Sequence, residues 1–347
     1  MINFQAGPSK LPNVVYNRLP GMIENYRNTG LSLLSISHRD PIFLETYHNI
    51  KRSLQKLLDL SEQYAILLMP GGATAQFSAI PLNLVNLGKA AYFNSGYWSC
   101  AAITEAKKFI QVSSYDIGDS ILKEKNFDYI HYTENETVEG FQWQKIPNVD
   151  APLIGDFSSS FLSKPIDVNR HHIIYASAQK NIGLPNTAVV IIHKALLSES
   201  KKNIPILLDY TAMSKENSLH NTPNIIAWVA IELVLEDMLT QGGLIKIAEK
   251  NQEKAMILYQ TIDQSDFFYN DLDHRNRSTM NVVFQLPNKV LTEKFLKFSK
   301  SHGIYGLNGH RSIGGCRASL YNAVSLEDVK QLIQVMNEFE NKQYYNN

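Results

Sequence analysis

The chain has 347 residues with 33 Lys plus Arg against 33 Asp plus Glu, so its formal net charge is zero, and no basic run is present to neutralise a nucleic-acid backbone. Its length exceeds what one hydrophobic core usually serves, which predicts two unequal domains: a large one over 15–254 and a small one over 255–347, after an N-terminal segment over 1–14. Two distant cysteines, Cys100 and Cys316, without a C-x-x-C spacing argue against a disulfide framework and a structural zinc site. No apolar run approaches the roughly 18 residues that span a bilayer, and Met1 to Lys10 lacks the features of a signal peptide. The expectation is a soluble cytoplasmic protein without a metal, a nucleic acid or a membrane as partner.

In chain order, the first clear element is a helix after Asp40. Phe43, Tyr47, Ile50, Leu54 and Leu57 form one apolar stripe, Asp40 is the cap and Pro41 takes the first helical position. Short β-branched and aromatic runs then follow at Tyr64 to Met69, Ala90 to Asn94, Ile110 to Tyr115, Leu153 to Phe157, Ile173 to Ser177 and Ala188 to Ile192, separated by amphipathic stretches. This alternation predicts an α/β fold with a mostly parallel sheet flanked by helices. A further helix is read from Asn221, Thr222 and Pro223 to Gly242 and Gly243. Beyond about residue 255 the pattern becomes α+β: strands at Val282 to Leu286 and Arg317 to Tyr321, a helix near Leu291 to Ser301, and a last helix capped by Ser325.

Several positions carry chemistry only in combination. Lys180 follows an apolar strand, and a lysine held against apolar walls loses basicity and becomes an amine nucleophile toward an aldehyde. Asp156 ends another apolar strand in Gly-Asp-Phe-Ser-Ser. Neighbouring parallel strands would bring the two ends together, where open α/β sheets bind ligands. An amine for an aldehyde and a carboxylate for a pyridinium nitrogen are what a pyridoxal enzyme needs there. Pro70-Gly71-Gly72-Ala73-Thr74 turns from a strand into a helix, an arrangement that suits a phosphate, and Trp98 offers a flat face for a ring. Taken singly, each has a plainer reading: a snorkelling lysine, a strand-end turn, an ordinary glycine turn and a core tryptophan.

Together with these, Ala6-Gly7-Pro8, Ser37-His38-Arg39, Gly96-Tyr97-Trp98, Asn135-Glu136-Thr137, Ala178-Gln179-Lys180-Asn181, Asn221-Thr222-Pro223 and Gly309-His310-Arg311 occur in an order that resembles the phosphoserine aminotransferase family of class V aminotransferases, from about Asn3 to about Phe339. The resemblance implies a fold-type I homodimer using pyridoxal 5'-phosphate, with active sites shared across the interface. It implies that Lys180 forms the Schiff base, Asp156 pairs with the ring nitrogen, Trp98 stacks on the ring and Thr137 bonds its edge. Ala73, Thr74 and Gln179 would hold the cofactor phosphate, with Asn221 and Thr222 from the other subunit. The implied reaction transfers an amino group between L-glutamate and 3-phosphohydroxypyruvate, giving O-phospho-L-serine and 2-oxoglutarate. His38, Arg39, His310, Arg311 and Arg317 are the implied substrate cations, Arg317 for the α-carboxylate. The alternatives are a class V enzyme acting on serine, alanine or glyoxylate, and a non-catalytic coenzyme binder.

Overall fold

The structure, a computed structural model, describes residues 1–118, 126–197 and 203–345. Strand β1 (Ile2–Asn3) precedes helices α1 (Asn13–Glu24) and α2 (Pro41–Leu58). The α/β region follows: β2 (Tyr64–Pro70), α3 (Gly72–Leu84), β3 (Lys89–Asn94), α4 (Tyr97–Ala106), β4 (Gln111–Asp116), β5 (Ile130–Thr133), the short β6 (Asn135–Glu136) and β7 (Phe141–Gln142), β8 (Leu153–Asp156), β9 (Ile173–Ser177) and β10 (Thr187–His193). Helices α5 (Tyr210–Lys215), α6 (Ile225–Thr240) and α7 (Gly243–Gln264) lead to β11 (Asn281–Phe284), α8 (Lys289–Ser301), β12 (Ile304–Tyr305), β13 (Cys316–Ser319) and α9 (Leu326–Tyr345).

Seven of the described strands form one sheet in the order β2-β10-β9-β8-β5-β3-β4. Only β10 runs against the rest, pairing antiparallel with both β2 and β9. Because strand side chains alternate between faces, Leu67, Tyr92, Ile154, Tyr175 and Val190 meet Phe77, Ile80, Ala102 and Ile103 of α3 and α4 in one core. Ile66, Ala91, Tyr132, Ile174 and Ile191 pack with α2 and α6 in another. Burial on both faces explains why β9 and β10 read as continuous apolar runs rather than alternating ones.

Helix α2 starts where Asp40 accepts the Ile42 amide at 3.0 Å, with Pro41 at the first position. Its Phe43 stacks on Trp228 of α6 at 5.9 Å, and α6 is buried almost all round. Each large apolar side chain so covered contributes about 1.5–3 kcal/mol relative to exposure. The expected helix start at Asn221 to Pro223 is corrected: the helix begins at Ile225, and Asn224 is the cap, accepting the Ala227 amide at 3.1 Å. Asn221 and Thr222 lie in the approach to the helix. A third core joins Leu258, Phe284, Phe295, Leu332 and Phe339 with Ile2 and Phe4, because β1 pairs in parallel with β12. No helix of the described residues is long and apolar enough to cross a membrane.

Candidate active site

Three parallel strands end side by side at one cavity. Thr133 is in register with Asp156, and Asp156 with Tyr175, so β5 and β8 end level while β9 runs on to Ser177. After β9 the chain turns through Ala178 and Gln179 to Lys180. The cavity is lined by Ala73, Trp98, Thr133, Thr137, Asp156, Gln179 and Lys180, with Asn135 and the serines Ser158, Ser159 and Ser177. It therefore brings together six of the residues singled out in the sequence.

The Lys180 amine donates to Thr137 Oγ1 at 2.8 Å and lies 5.7 Å from the centre of the Trp98 ring. Burial lowers its pKa to about 8; Asp156 opposes that shift and Arg317 adds to it. Asp156 is 4% exposed, and burial pushes its carboxyl above the usual range. The Ser158 amide, donating to Oδ1 at 2.8 Å, and the Lys180 charge both work against that rise. Amine and carboxylate thus favour each other's charged form and offset part of the burial shift.

Above Lys180 runs the N-terminal segment. A methyl at Gly7 would sit 3.6 Å from Lys180 Cγ, the Ser9 amide donates to Gln179 O at 3.0 Å, and the Ser9 hydroxyl donates to Lys180 O. Tyr321 fixes this segment by donating to Ala6 O at 2.9 Å.

Two helices point their N-termini toward the cavity, and they differ. At α3 the turn needs glycine twice: Gly71 and Gly72 have φ of +85° and +66°, and a methyl on Gly71 would come within 2.7 Å of Ala75 Cβ. No side chain caps this helix; the Ala73 amide donates to Ser177 Oγ at 2.7 Å, and Thr74 faces outward, exposed. At α4 the protein fills the position itself. Glu136 accepts the Trp98 and Ser99 amides at 2.9 Å each, and Glu139 accepts the Tyr97 amide at 2.9 Å. Burial, reinforced by Glu139, raises the Glu136 pKa to about 7.

Arg317 on β13 reaches the cavity edge, donating through Nη1 to Thr137 O at 3.1 Å while its buried Nε has no partner. His310 lies 4.6 Å from the Tyr97 ring, which contacts Trp98 edge-on at 5.2 Å. Burial, then Arg317 and Arg311, lower the His310 pKa. Arg311 is exposed. His38 is part-buried with an unpartnered Nε2, and Arg39 beside it is exposed. None of His38, Arg39, His310 or Arg311 lines the Lys180 cavity. Asn221 and Thr222 line a separate cleft with Gly71 and Asn186, on the other side of the glycine turn.

The residues fit a polar, ring-shaped cofactor. Trp98 Nε1, Thr133 Oγ1 and Gln179 Oε1 are buried without hydrogen-bond partners, although all three side chains line the cavity, and buried polar atoms are normally paired. A more spacious cleft of about 640 Å³ includes Lys10, Asp237, Lys254 and Asn322 in its lining. Its buried cation is already committed: Lys254 donates to Leu320 O, Tyr321 O and Val324 O at 2.9–3.0 Å.

Sequence reasoning passed over β5, which supplies Thr133, and did not single out Glu136 for its own role. The signal for β5 was present in the β-prone run Tyr129-Ile130-His131-Tyr132-Thr133. The cap left no local trace, since the Trp98 and Ser99 amides lie 38 and 37 residues before Glu136.

Comparison with known proteins agrees with this geometry. The family model described as aminotransferase class-V matches residues 1–332. A phosphoserine aminotransferase of Blochmanniella floridana is 42% identical, covering 99% of both chains, and one of Geobacillus kaustophilus is 43% identical, covering 98% of both. The solved phosphoserine aminotransferase of Bacillus circulans subsp. alkalophilus superposes with a TM-score of 0.95 at 37% identity over 98% of both chains. That of Trichomonas vaginalis, solved with PLP bound, gives 0.92 at 35%, covering 96% of this chain and 99% of the other. The chain belongs to the class V aminotransferase family.

Proposed function

We propose that this chain catalyses pyridoxal-phosphate-dependent transfer of the amino group between L-glutamate and 3-phosphohydroxypyruvate, giving O-phospho-L-serine and 2-oxoglutarate. The observation that carries the reading is the meeting of the Lys180 amine and the Asp156 carboxylate in one cavity, with Trp98 beside the amine. When bound, the coenzyme supplies an aldehyde for the amine and a protonated ring that withdraws electrons.

The chain's own groups do the rest. Asp156 would hold the ring nitrogen, Trp98 would cover the ring, Thr137 would bond its edge, and Ala73, Thr74 and Gln179 would hold the phosphate at the α3 N-terminus. Lys180 has a lowered basicity because it is buried, so its free amine can take the proton from the donor's Cα. Arg317, with its unpartnered Nε, takes the α-carboxylate common to both substrates. His38, Arg39, His310 and Arg311 take the distal phosphate or side-chain carboxylate.

The active form is a cytoplasmic homodimer in which Asn221 and Thr222 serve the partner's phosphate site. The support is their position beside Gly71 yet outside their own Lys180 cavity. A two-fold axis near this turn would exchange the pairs between copies.

The test is amino transfer from glutamate to phosphohydroxypyruvate, pyruvate and glyoxylate by wild type and Lys180→Ala. Phosphohydroxypyruvate is the preferred acceptor, and the variant is inactive. A preference for pyruvate would remove the substrate assignment while leaving the coenzyme chemistry; full activity in the variant would remove both.

A further inference from the structure

Beneath Asp156, on the sheet face covered by α3 and α4, lies a row of polar rings that the reaction as described does not use. Tyr175 of β9 is in register with Asp156 of β8, so the two side chains are neighbours on the same sheet face, and burial, then the carboxylate, raises the Tyr175 pKa. The Tyr175 hydroxyl reaches past β8 to meet His131 Nε2 of β5 at 2.8 Å. His131 is stacked on Tyr92 of β3 at 4.7 Å with 26° between the planes, and Tyr92 shares a hydroxyl contact of 2.8 Å with Tyr129. Tyr175 and His131 are at most 1% exposed.

We propose that Tyr175 and His131 are positioning residues for the amino-transfer reaction: His131 Nε2–H donates to the Tyr175 oxygen, and the Tyr175 O–H donates to Asp156, holding that carboxylate ionised and aimed at the coenzyme's ring nitrogen. The inference rests on the role assigned to Asp156 under the proposed function.

The argument is a count of protons. An ionised carboxylate only accepts, so in the proposed bond between these neighbours the Tyr175 proton is the one given to Asp156. The histidine contact must then be donated by the imidazole. Burial lowers the His131 pKa to about 3, so the ring is neutral and carries one N–H. That proton belongs on Nε2, which leaves Nδ1 bare, and Nδ1 is a buried atom without a partner. The reverse arrangement would have Tyr175 donate to His131, a protonated Asp156 donate to Tyr175, and an N–H stranded at Nδ1. The charged and titratable groups that bear on the pair are Lys180 above Asp156, and Tyr92 and Tyr210 around Tyr175.

The tautomer of His131 is readable by ¹⁵N NMR of the full-length, histidine-labelled protein, with and without coenzyme, its signal assigned by loss in His131→Gln. A proton on Nε2 is expected; a proton on Nδ1 of the wild type overturns the proposal even if every variant fails to fold. In the coenzyme-saturated enzyme, Tyr175→Phe is expected to lower kcat about tenfold or more with KM for glutamate within about twofold. It is also expected to shift the pH titration of the coenzyme's visible band. His131→Gln shifts that titration in the same direction, and the double variant is no worse than Tyr175→Phe alone. Unchanged kcat and titration in Tyr175→Phe overturn the proposal. A wild type without transfer activity would refute the proposed function, whereas the tautomer is read in coenzyme-free protein and is decided separately.

Discussion

Capture of pyridoxal phosphate by the coenzyme-free protein has a pH dependence that the Lys180 environment fixes in both sign and size. Only the unprotonated amine attacks an aldehyde, so the rate rises with pH through the lysine pKa. With an ordinary value of 10.5 about 0.03% of the amine is free at pH 7; at about 8, about 9% is free, a gain of roughly 300-fold. Capture followed by stopped-flow absorbance, divided at each pH by capture on a simple alkylamine to remove the coenzyme's own ionisations, is expected to rise to a plateau with a midpoint near 8. Two substitutions test the cause. Asp156 favours the protonated amine and Arg317 disfavours it, so Asp156→Asn moves the midpoint down and Arg317→Gln moves it up. A wild-type midpoint near 10, or shifts of the same sign in both variants, refutes the reasoning.

Three further outcomes follow from local geometry. Lys254→Met removes the donor from three buried carbonyls and lowers the stability of the fold by about 2–4 kcal/mol; an unchanged urea midpoint contradicts that. Glu136→Ala leaves the Trp98 and Ser99 amides unpaired at the start of α4, costing about 1–2 kcal/mol in thermal unfolding. For the shared site, a Thr222→Ala chain mixed with a Lys180→Ala chain recovers part of the lost activity once subunits exchange; no recovery despite demonstrated exchange rejects it.

Where local chemistry decides the fold, the sequence is easily read. Asp40-Pro41 starts α2 because a carboxylate and a ring-locked φ both suit that position, and Ile173 to Ser177 is a strand in full. Competing signals misled elsewhere. Asn221, Thr222 and Pro223 hold both a cap type and the residue favoured at a first helical position, yet Asn224 makes the cap, so type alone did not choose between neighbouring polar residues. In β5, His131 and Thr133 interrupt the apolar run; His131 is bonded to Tyr175 of β9, and Thr133 lines the cavity. The pairing of Ile2 with Ile304 leaves no local trace at all, since nothing in a two-residue strand records which distant segment it joins. In the site, the amine and the carboxylate were legible because each ends an apolar strand. The glycine turn before α3 was legible as a place for a phosphate, but what stands at the start of α4 was not, since that depends on what else is folded against it.

Charge at the two helix starts favours α3 over α4 for the phosphate. Glu136 and Glu139 stand at the opening of α4, accepting three of its first amides. A coenzyme phosphate placed there would meet carboxylates where it needs donors, and one like-charge contact at 4 Å costs about 4 kcal/mol at the effective dielectric of a protein surface. At α3 the capping position belongs to a glycine without a side chain, and the nearby groups are amides and hydroxyls: Ala73, Thr74, Ser177 and Gln179, with Asn221 and Thr222 across the turn. We therefore assign the phosphate to α3. The carboxylates at α4 then have a different use, because the amide that Glu136 holds is that of Trp98 itself. Anchoring the backbone of Trp98 fixes one side of the cavity, and on the proposed reading Asp156 and Lys180 would fix the ring nitrogen and the aldehyde. Three anchors suffice to set the plane of a flat molecule, and each comes from a different strand end or helix start of the same sheet.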